Sequence, residues 1–241
     1  MKTLLWKMAA GLLLILMSLP AMAQIKFGIK AGGSMNNVRQ NYEQNAMEWE
    51  TQMLFAYHVG VVMDYSFSDA ISLQPGVFYA RRGFSIDWKE ELEGERNFDG
   101  FDRTYFDYID LPVNVAYKFK NVQLFAGPYF SAGIGGKNKM DFSYEDPVLG
   151  DVKMKEDYKM KPFTKKISEG DVKDDELPYY RLDYGVNVGL GFQRGPILIN
   201  TAYTNGLGNL TPNIKGESSY RKDNKMYNRG INLSVSYFFG E

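Results

Sequence analysis

NRGINLSVSYFF, residues 228–239, sets Ile231, Leu233, Val235, Tyr237 and Phe239 against Asn232, Ser234 and Ser236. Alternation with a period of two is the signature of a strand with one apolar and one polar face, because successive side chains point to opposite sides of the sheet. A strand of this kind near the end of a chain, apolar on one face and closing on aromatics, is how outer-membrane β-barrels commonly finish. Gly240-Glu241 departs from the usual terminal aromatic.

The other end of the chain points to the same compartment. Lys2 and Lys7 form a positive leader, Met8 to Leu19 an apolar core, and Ala21-Met22-Ala23 a small-x-small cleavage site, so residues 1–23 read as a signal peptide and 24–241 as the mature domain. The apolar run falls short of the roughly 20 residues a spanning helix needs. No cysteine follows it, which excludes a lipid-anchored lipoprotein. The 28 basic residues less Lys2 and Lys7 leave 26 against 29 acidic ones, a net charge of −3 that argues against nucleic acid as a partner. With no cysteine there is no disulfide scaffold, thiolate metal site or cysteine nucleophile. Fifteen per cent aromatics and 24 glycines favour β architecture, and no later stretch approaches a membrane helix.

Working back from the last strand, period-two alternation recurs seven more times. The strands are expected near 25–35, 53–67, 70–84, 104–119, 122–135, 182–193 and 197–203. The cleanest places Leu182, Tyr184, Val186, Val188, Leu190 and Phe192 opposite Asp183, Gly185, Asn187, Gly189, Gly191 and Gln193; Phe125 and Tyr129 blur the alternation of the fifth. Connections after strands two, four and six are a few residues long. Those after strands one, three, five and seven are long, at about 37–52, 87–103, 137–178 and 207–227. Short turns on one side and long loops on the other belong to a membrane barrel with the short side periplasmic. An even strand count puts both termini there too.

Aromatics on the apolar face fall in two belts. Tyr65, Phe67, Tyr117, Phe119, Phe192, Tyr237 and Phe239 lie at the short-turn ends, and Tyr79, Phe130, Tyr180 and Tyr203 near the opposite rim. Amphipathic rings prefer the headgroup level, so two girdles around an aliphatic band mark a lipid-facing surface. The expected fold is all-β: an eight-stranded antiparallel up-and-down transmembrane β-barrel with short periplasmic turns and long extracellular loops, in the outer membrane of a Gram-negative bacterium.

Five segments, YIDLPVNVAYKF, LFAGPYFSAGIGG, LDYGVNVGLGFQ, NTAYTNGLGNLTP and the closing strand, together with the opening FGIKAGGSMNNV, resemble the PorT-like outer-membrane β-barrel family. The likeness covers nearly the whole mature chain, and its motifs are structural. It implies a small barrel similar to other eight-stranded outer-membrane proteins. Since the family's namesake takes part in protein secretion, it also implies, as one alternative, an accessory subunit of a type IX-like secretion machine.

On the polar face, Lys26, Lys30, Arg82 and Lys118 are expected to pair with Asp64, Asp110 and Asp183 as an ionic plug, since eight strands enclose a space that side chains just fill. Glycines at 60, 76, 127, 185, 189 and 191 would make room beside larger inward residues. His58, the single histidine, is expected to face inward in a structural role, with no serine assignable to it as a catalytic partner. The segment 137–178, with nine Lys against eleven Asp or Glu, reads as a solvated excursion or as strands carried beyond the membrane. Within it Asp171, Asp174, Asp175 and Glu176 lack the spacing and glycine of a calcium loop. Tyr42, Trp49, Trp88 and Phe101 are expected to pack at the rim. No catalytic, cofactor or metal site is expected. The expected partners are outer-membrane lipid and lipopolysaccharide, barrel-assembly machinery during insertion, and a surface or secretion-complex protein, around a monomer with a structural or cell-surface interaction role. A lipid-modifying enzyme and a narrow pore are the remaining alternatives.

Overall fold

A computed structural model describes residues 25–42, 50–91, 97–146, 150–168, 170–217 and 219–239. The expected signal peptide, and Trp49 with it, lie outside the described residues. Among the described residues ten strands form one sheet: β1 (Ile25–Tyr42), β2 (Thr51–Ser66), β3 (Ile71–Glu91), β4 (Asn97–Phe119), β5 (Val122–Asp146), β6 (Gly150–Phe163), β7 (Glu176–Tyr180), β8 (Leu182–Arg194), β9 (Ile197–Gly206) and β10 (Asn224–Phe239). A one-turn helix, α1 (Tyr220–Asp223), precedes β10.

Eight of the strands close a ring in the order β1-β2-β3-β4-β5-β8-β9-β10, each antiparallel to the next. Closure is made by the quoted strand: β10 pairs with β1 in unbroken register from Phe27 opposite Phe239 to Tyr42 opposite Asn224. Closure leaves no strand edge in the ring, which is the condition for placing a sheet in lipid, where an unpaired backbone group costs several kcal/mol.

The predicted faces hold. Phe27, Val61, Val115, Tyr117, Leu124, Val188, Leu190, Leu233 and Val235 are exposed on the outside, and Ser72, Ala116, Asp183, Ser234 and Ser236 are buried inside. Rings of the turn-end girdle contact one another edge-on, Tyr65 with Phe67 at 4.8 Å and Tyr237 with Phe239 at 5.3 Å. At the other rim Phe130 and Tyr203 are exposed as expected. Tyr180 differs, since it belongs to β7 outside the ring and carries the Arg221 guanidinium 3.8 Å from its centroid.

The turns between β4 and β5 and between β8 and β9 hold two residues each. Lys120 and Gly195 take left-handed conformations there (φ 53° and 59°), the backbone hand that lets a two-residue turn follow the strand twist. The Asn121 side chain ties the two turns together by donating to the Gln193 carbonyl at 3.1 Å.

At the opposite end the structure replaces the loop expected at 87–103 and, for much of 137–178, selects the reading of strands carried beyond the membrane. The segments 87–103 and 137–178 are strand for much of their length. β3, β4 and β5 run for 21, 23 and 25 residues, about twice the 9–11 that cross a bilayer, whereas β9 has 10. Beyond the ring β5 exchanges its partner β8 for β6, pairing Ala132 with Leu182 and then Lys137 with Lys159. The exchange follows a β-bulge that leaves Ile134 unpaired with β4. β6 adds a fourth strand to this tall wall, and β7 lies parallel to its last five residues. Trp88 stacks on Phe142 (4.8 Å, 8° between planes) on one face of the wall, and Arg103 covers Phe101 at 4.2 Å.

An arginine at the middle of the lipid-facing band should destabilise the barrel by about 2–4 kcal/mol and by at most about 1 kcal/mol at its rim. Leu233→Arg is therefore expected to lower the urea midpoint of the protein folded in lipid vesicles clearly, and Asp69→Arg in the exposed turn after β2 to leave it nearly unchanged.

Candidate functional site

The interior is filled in layers, each placed by the inward half of the strand alternation. Nearest the short turns, Asp64 accepts from Lys118 Nζ at 2.8 Å and from Gln74 Nε2 at 3.0 Å, and Gln74 also donates to Gln123 at 3.2 Å. Above this lie Phe78 and Phe125. They occupy space left by glycines: a Cβ on Gly76 would fall 2.3 Å from the Phe78 ring, and one on Gly189 2.4 Å from Phe125. Gly185 gives way in the same manner to Tyr129, its direct cross-strand partner. Phe125 and Tyr129 therefore keep the alternation of β5 after all; they are the inward members, large because β8 opposite them is small.

The next layer crosses the lumen. Arg82 binds Asp110 and reaches Asp183 at 3.4 Å and the Ser131 hydroxyl at 3.1 Å. Its guanidinium lies between two rings, 5.2 Å from Tyr108 and 4.9 Å from Tyr129. Asp183 also accepts from the Tyr129 hydroxyl at 3.1 Å and from Asn228 Nδ2 at 2.9 Å. Buried charges are tolerated when paired and hydrogen-bonded in this way, and five ring strands contribute to the network. Above it Phe84, Phe106, Tyr108, Met160, Tyr179 and Leu210 form a buried apolar cluster across the mouth.

The expected ion-pair network thus forms around Arg82 and Lys118, with Asp64, Asp110 and Asp183. Lys26 and Lys30 do not join it. Asp64, opposite Lys26 in register, is engaged by Lys118, and Lys30 sits 5.7 Å from the Phe78 centroid with no carboxylate partner among the described residues. Sequence reasoning missed Tyr108, Tyr129, Ser131 and Asn228, because their part in the network depends on which strands meet across the ring.

His58 faces inward and does find a serine. Its Nε2 lies 2.8 Å from the Ser234 hydroxyl. The two side chains meet across Gly32, which pairs with His58 on one side and Ser234 on the other, and a Cβ there would lie 2.7 Å from the imidazole. Both line a cavity of about 80 Å³, far smaller than the 300–1,000 Å³ typical of ligand pockets. No carboxylate orients the imidazole among the described residues.

Three of the four acidic residues of the long excursion have separate partners. Asp175 pairs with Lys159 at 3.0 Å and Glu176 with Lys161 at 2.7 Å, and each hydrogen bond holds its carboxyl below the ordinary carboxylate range. Asp171 accepts from the Ser168 N–H at 2.6 Å, closing the turn before β7. No group of three or more potential metal ligands occurs among the described residues.

The family model for the outer membrane protein beta-barrel domain matches residues 20–212. The chain belongs to that family. The outer membrane protein beta-barrel domain accounts for the lipid-facing band and closed ring, and places the protein in the outer membrane of Gram-negative bacteria. Ail of Yersinia pestis, solved in complex with the heparin analogue sucrose octasulfate, is 14% identical over 90% of this chain and 99% of its own, with a TM-score of 0.40. Neisserial surface protein A is 10% identical over 88% and 97%, with a TM-score of 0.41. The outer membrane protease OmpT of Escherichia coli is 12% identical over 89% and 96%, with a TM-score of 0.33. No curated protein matches the chain.

Removing one member of a buried ion-pair network costs about 3–5 kcal/mol, and overfilling a packed interior about 1–3 kcal/mol. Arg82→Met and Gly189→Leu are expected to lower the urea midpoint in that order of severity, with Lys26→Met near wild type.

Proposed function

We propose that this protein is a non-enzymatic, non-conducting outer-membrane barrel with a structural or cell-surface interaction role. The observation that carries the reading is the seal made by Arg82, Asp110 and Asp183 between Tyr108 and Tyr129. Once the lumen is shut, transport and chemistry inside it are both disfavoured, and the surface of the tall β3–β6 wall is what remains to meet other molecules. The His58–Ser234 pair supports a structural role for the histidine, since its cavity has room for a few waters and not for an acyl chain.

In this reading residues 1–23 are removed on export and 24–241 form the barrel. The short turns and both termini face the periplasm, and the wall of long strands stands outside the cell among lipopolysaccharide. Assembly machinery takes up the β10 strand during insertion, and the folded protein is a monomer. A second reading rests on the PorT-like segments in β4, β5, β8 and β9: an accessory subunit of a type IX-like secretion machine, which would dock a protein partner on the same barrel.

Two measurements test these readings. In planar bilayers the wild-type protein should give no steady conductance steps, and reproducible steps would overturn the sealed lumen. Crosslinking from cysteines placed at Lys153 on the wall and at Ser68 in a short turn, in intact cells, should trap partners from the wall alone. A stoichiometric partner trapped from Ser68 would favour the secretion-machine subunit.

A further inference from the structure

A large cavity lies above the Arg82 layer, at the loop end of the barrel. It measures about 520 Å³, against about 80 Å³ for the space beside His58. Its walls come from β3, β4, β6, β7, β10 and the segment that leads into β10, and include Phe84, Phe106, Met160, Leu210, Ile214 and Met226. Toward the lumen the Phe106 and Tyr179 rings meet at 4.9 Å, and Tyr108 packs edge-on against Tyr179 at 6.2 Å, so aromatic rings stand between the cavity and the Arg82 layer.

The chemistry of the lining is selective. None of the fourteen described residues around the cavity is charged, although 24% of the chain is, and the strands around it carry many lysines and carboxylates. What polarity there is comes from threonine and tyrosine hydroxyls and one asparagine amide. A cavity of a few hundred Å³, mostly apolar with a few uncharged hydrogen-bonding groups, is how sites for small organic ligands are built. Water gains little in such a space, because it needs two to four polar partners. An ionised ligand would lose its hydration with nothing of opposite charge to replace it.

We infer that this cavity is a binding site for an uncharged, largely apolar small molecule, held at the mouth of the barrel above the seal. It is distinct from the surface role proposed for the β3–β6 wall and does not require it. The aromatic floor keeps the ligand at the mouth, so the site captures a molecule and does not conduct it. The methionines at 160 and 226 give the walls the adjustable thioethers suited to apolar ligands of varied shape.

The test uses the full mature protein in phospholipid nanodiscs, labelled with carbon-13 on its methionine methyls and titrated with 1-octanol. Met160 and Met226 line the cavity, and Met35 and Met53 face outward as references for octanol dissolved in the lipid. The expected result is a saturable shift at Met160 and Met226, with Met35 and Met53 changing only linearly. Octanoate, ionised at about pH 8, should bind at least about tenfold more weakly than octanol. Ile214→Trp, which fills the cavity from its partly exposed wall, should weaken octanol binding by about tenfold or more, in protein shown to be folded by its heat-dependent gel mobility. Shifts that stay linear at Met160 and Met226, octanoate binding equal to octanol, or full binding by a folded Ile214→Trp protein would each overturn the site.

Discussion

Ring closure is the constraint on which the rest depends. A bilayer offers no partner to a free N–H or carbonyl, so the sheet must return to its own first strand, and the β1–β10 register does so without a gap. Eight strands then fix the bore. That width leaves room for side chains and little else, which is why every inward position is a packing decision. Glycines 76, 185 and 189 are the spaces into which Phe78, Tyr129 and Phe125 fit, and the charged residues that remain must find one another in the space left over.

The interior therefore behaves as a protein core of unusual composition. Its outer surface is the apolar one, and cohesion inside comes from buried ion pairs, amide bonds and aromatic rings. Arg82 illustrates the economy of this arrangement: one guanidinium binds two carboxylates and a hydroxyl while two tyrosine rings lie within about 5 Å of it. A planar, delocalised cation can do this where an ammonium could not, because it is weakly hydrated and stacks on rings. Lys118 serves the wetter turn end, and Lys30, which lies over Phe78 and makes no ion pair among the described residues, stands outside the network that its sequence position suggested.

How much of this was legible in the sequence follows from which contacts are local. Alternation is a property of neighbours in the chain, so the eight ring strands, their faces and most of the lipid-facing aromatics could be read from residues such as Leu182–Phe192. β6 could not, because Gly150–Phe163 dilutes its alternation of Val152, Met154 and Tyr158 with charges on both faces, as suits a strand in water. Partnerships across the ring were also out of reach. His58 meets Ser234 only because Gly32 separates two registers, and the apolar cavity is assembled from residues as far apart as Phe84 and Met226. The glycine column of β8 signalled large neighbours without naming them; pairing with β5 supplies the names.

The height difference between the strands also leaves one ladder unfinished. β7 covers β6 only from Lys159 onward, so from Gly150 to Tyr158 the outer side of β6 has no partner strand among the described residues. Such an edge is a template on which a second chain could grow the sheet. Asp151, Lys153, Lys155 and Asp157 project from one face of that segment and are exposed. Ionic side chains along an open edge are a recognised guard against sheet growth, since another chain would have to match or desolvate them. In a crowded outer membrane, that guard bears on whether neighbouring copies remain separate particles or fuse into a continuous β-structure.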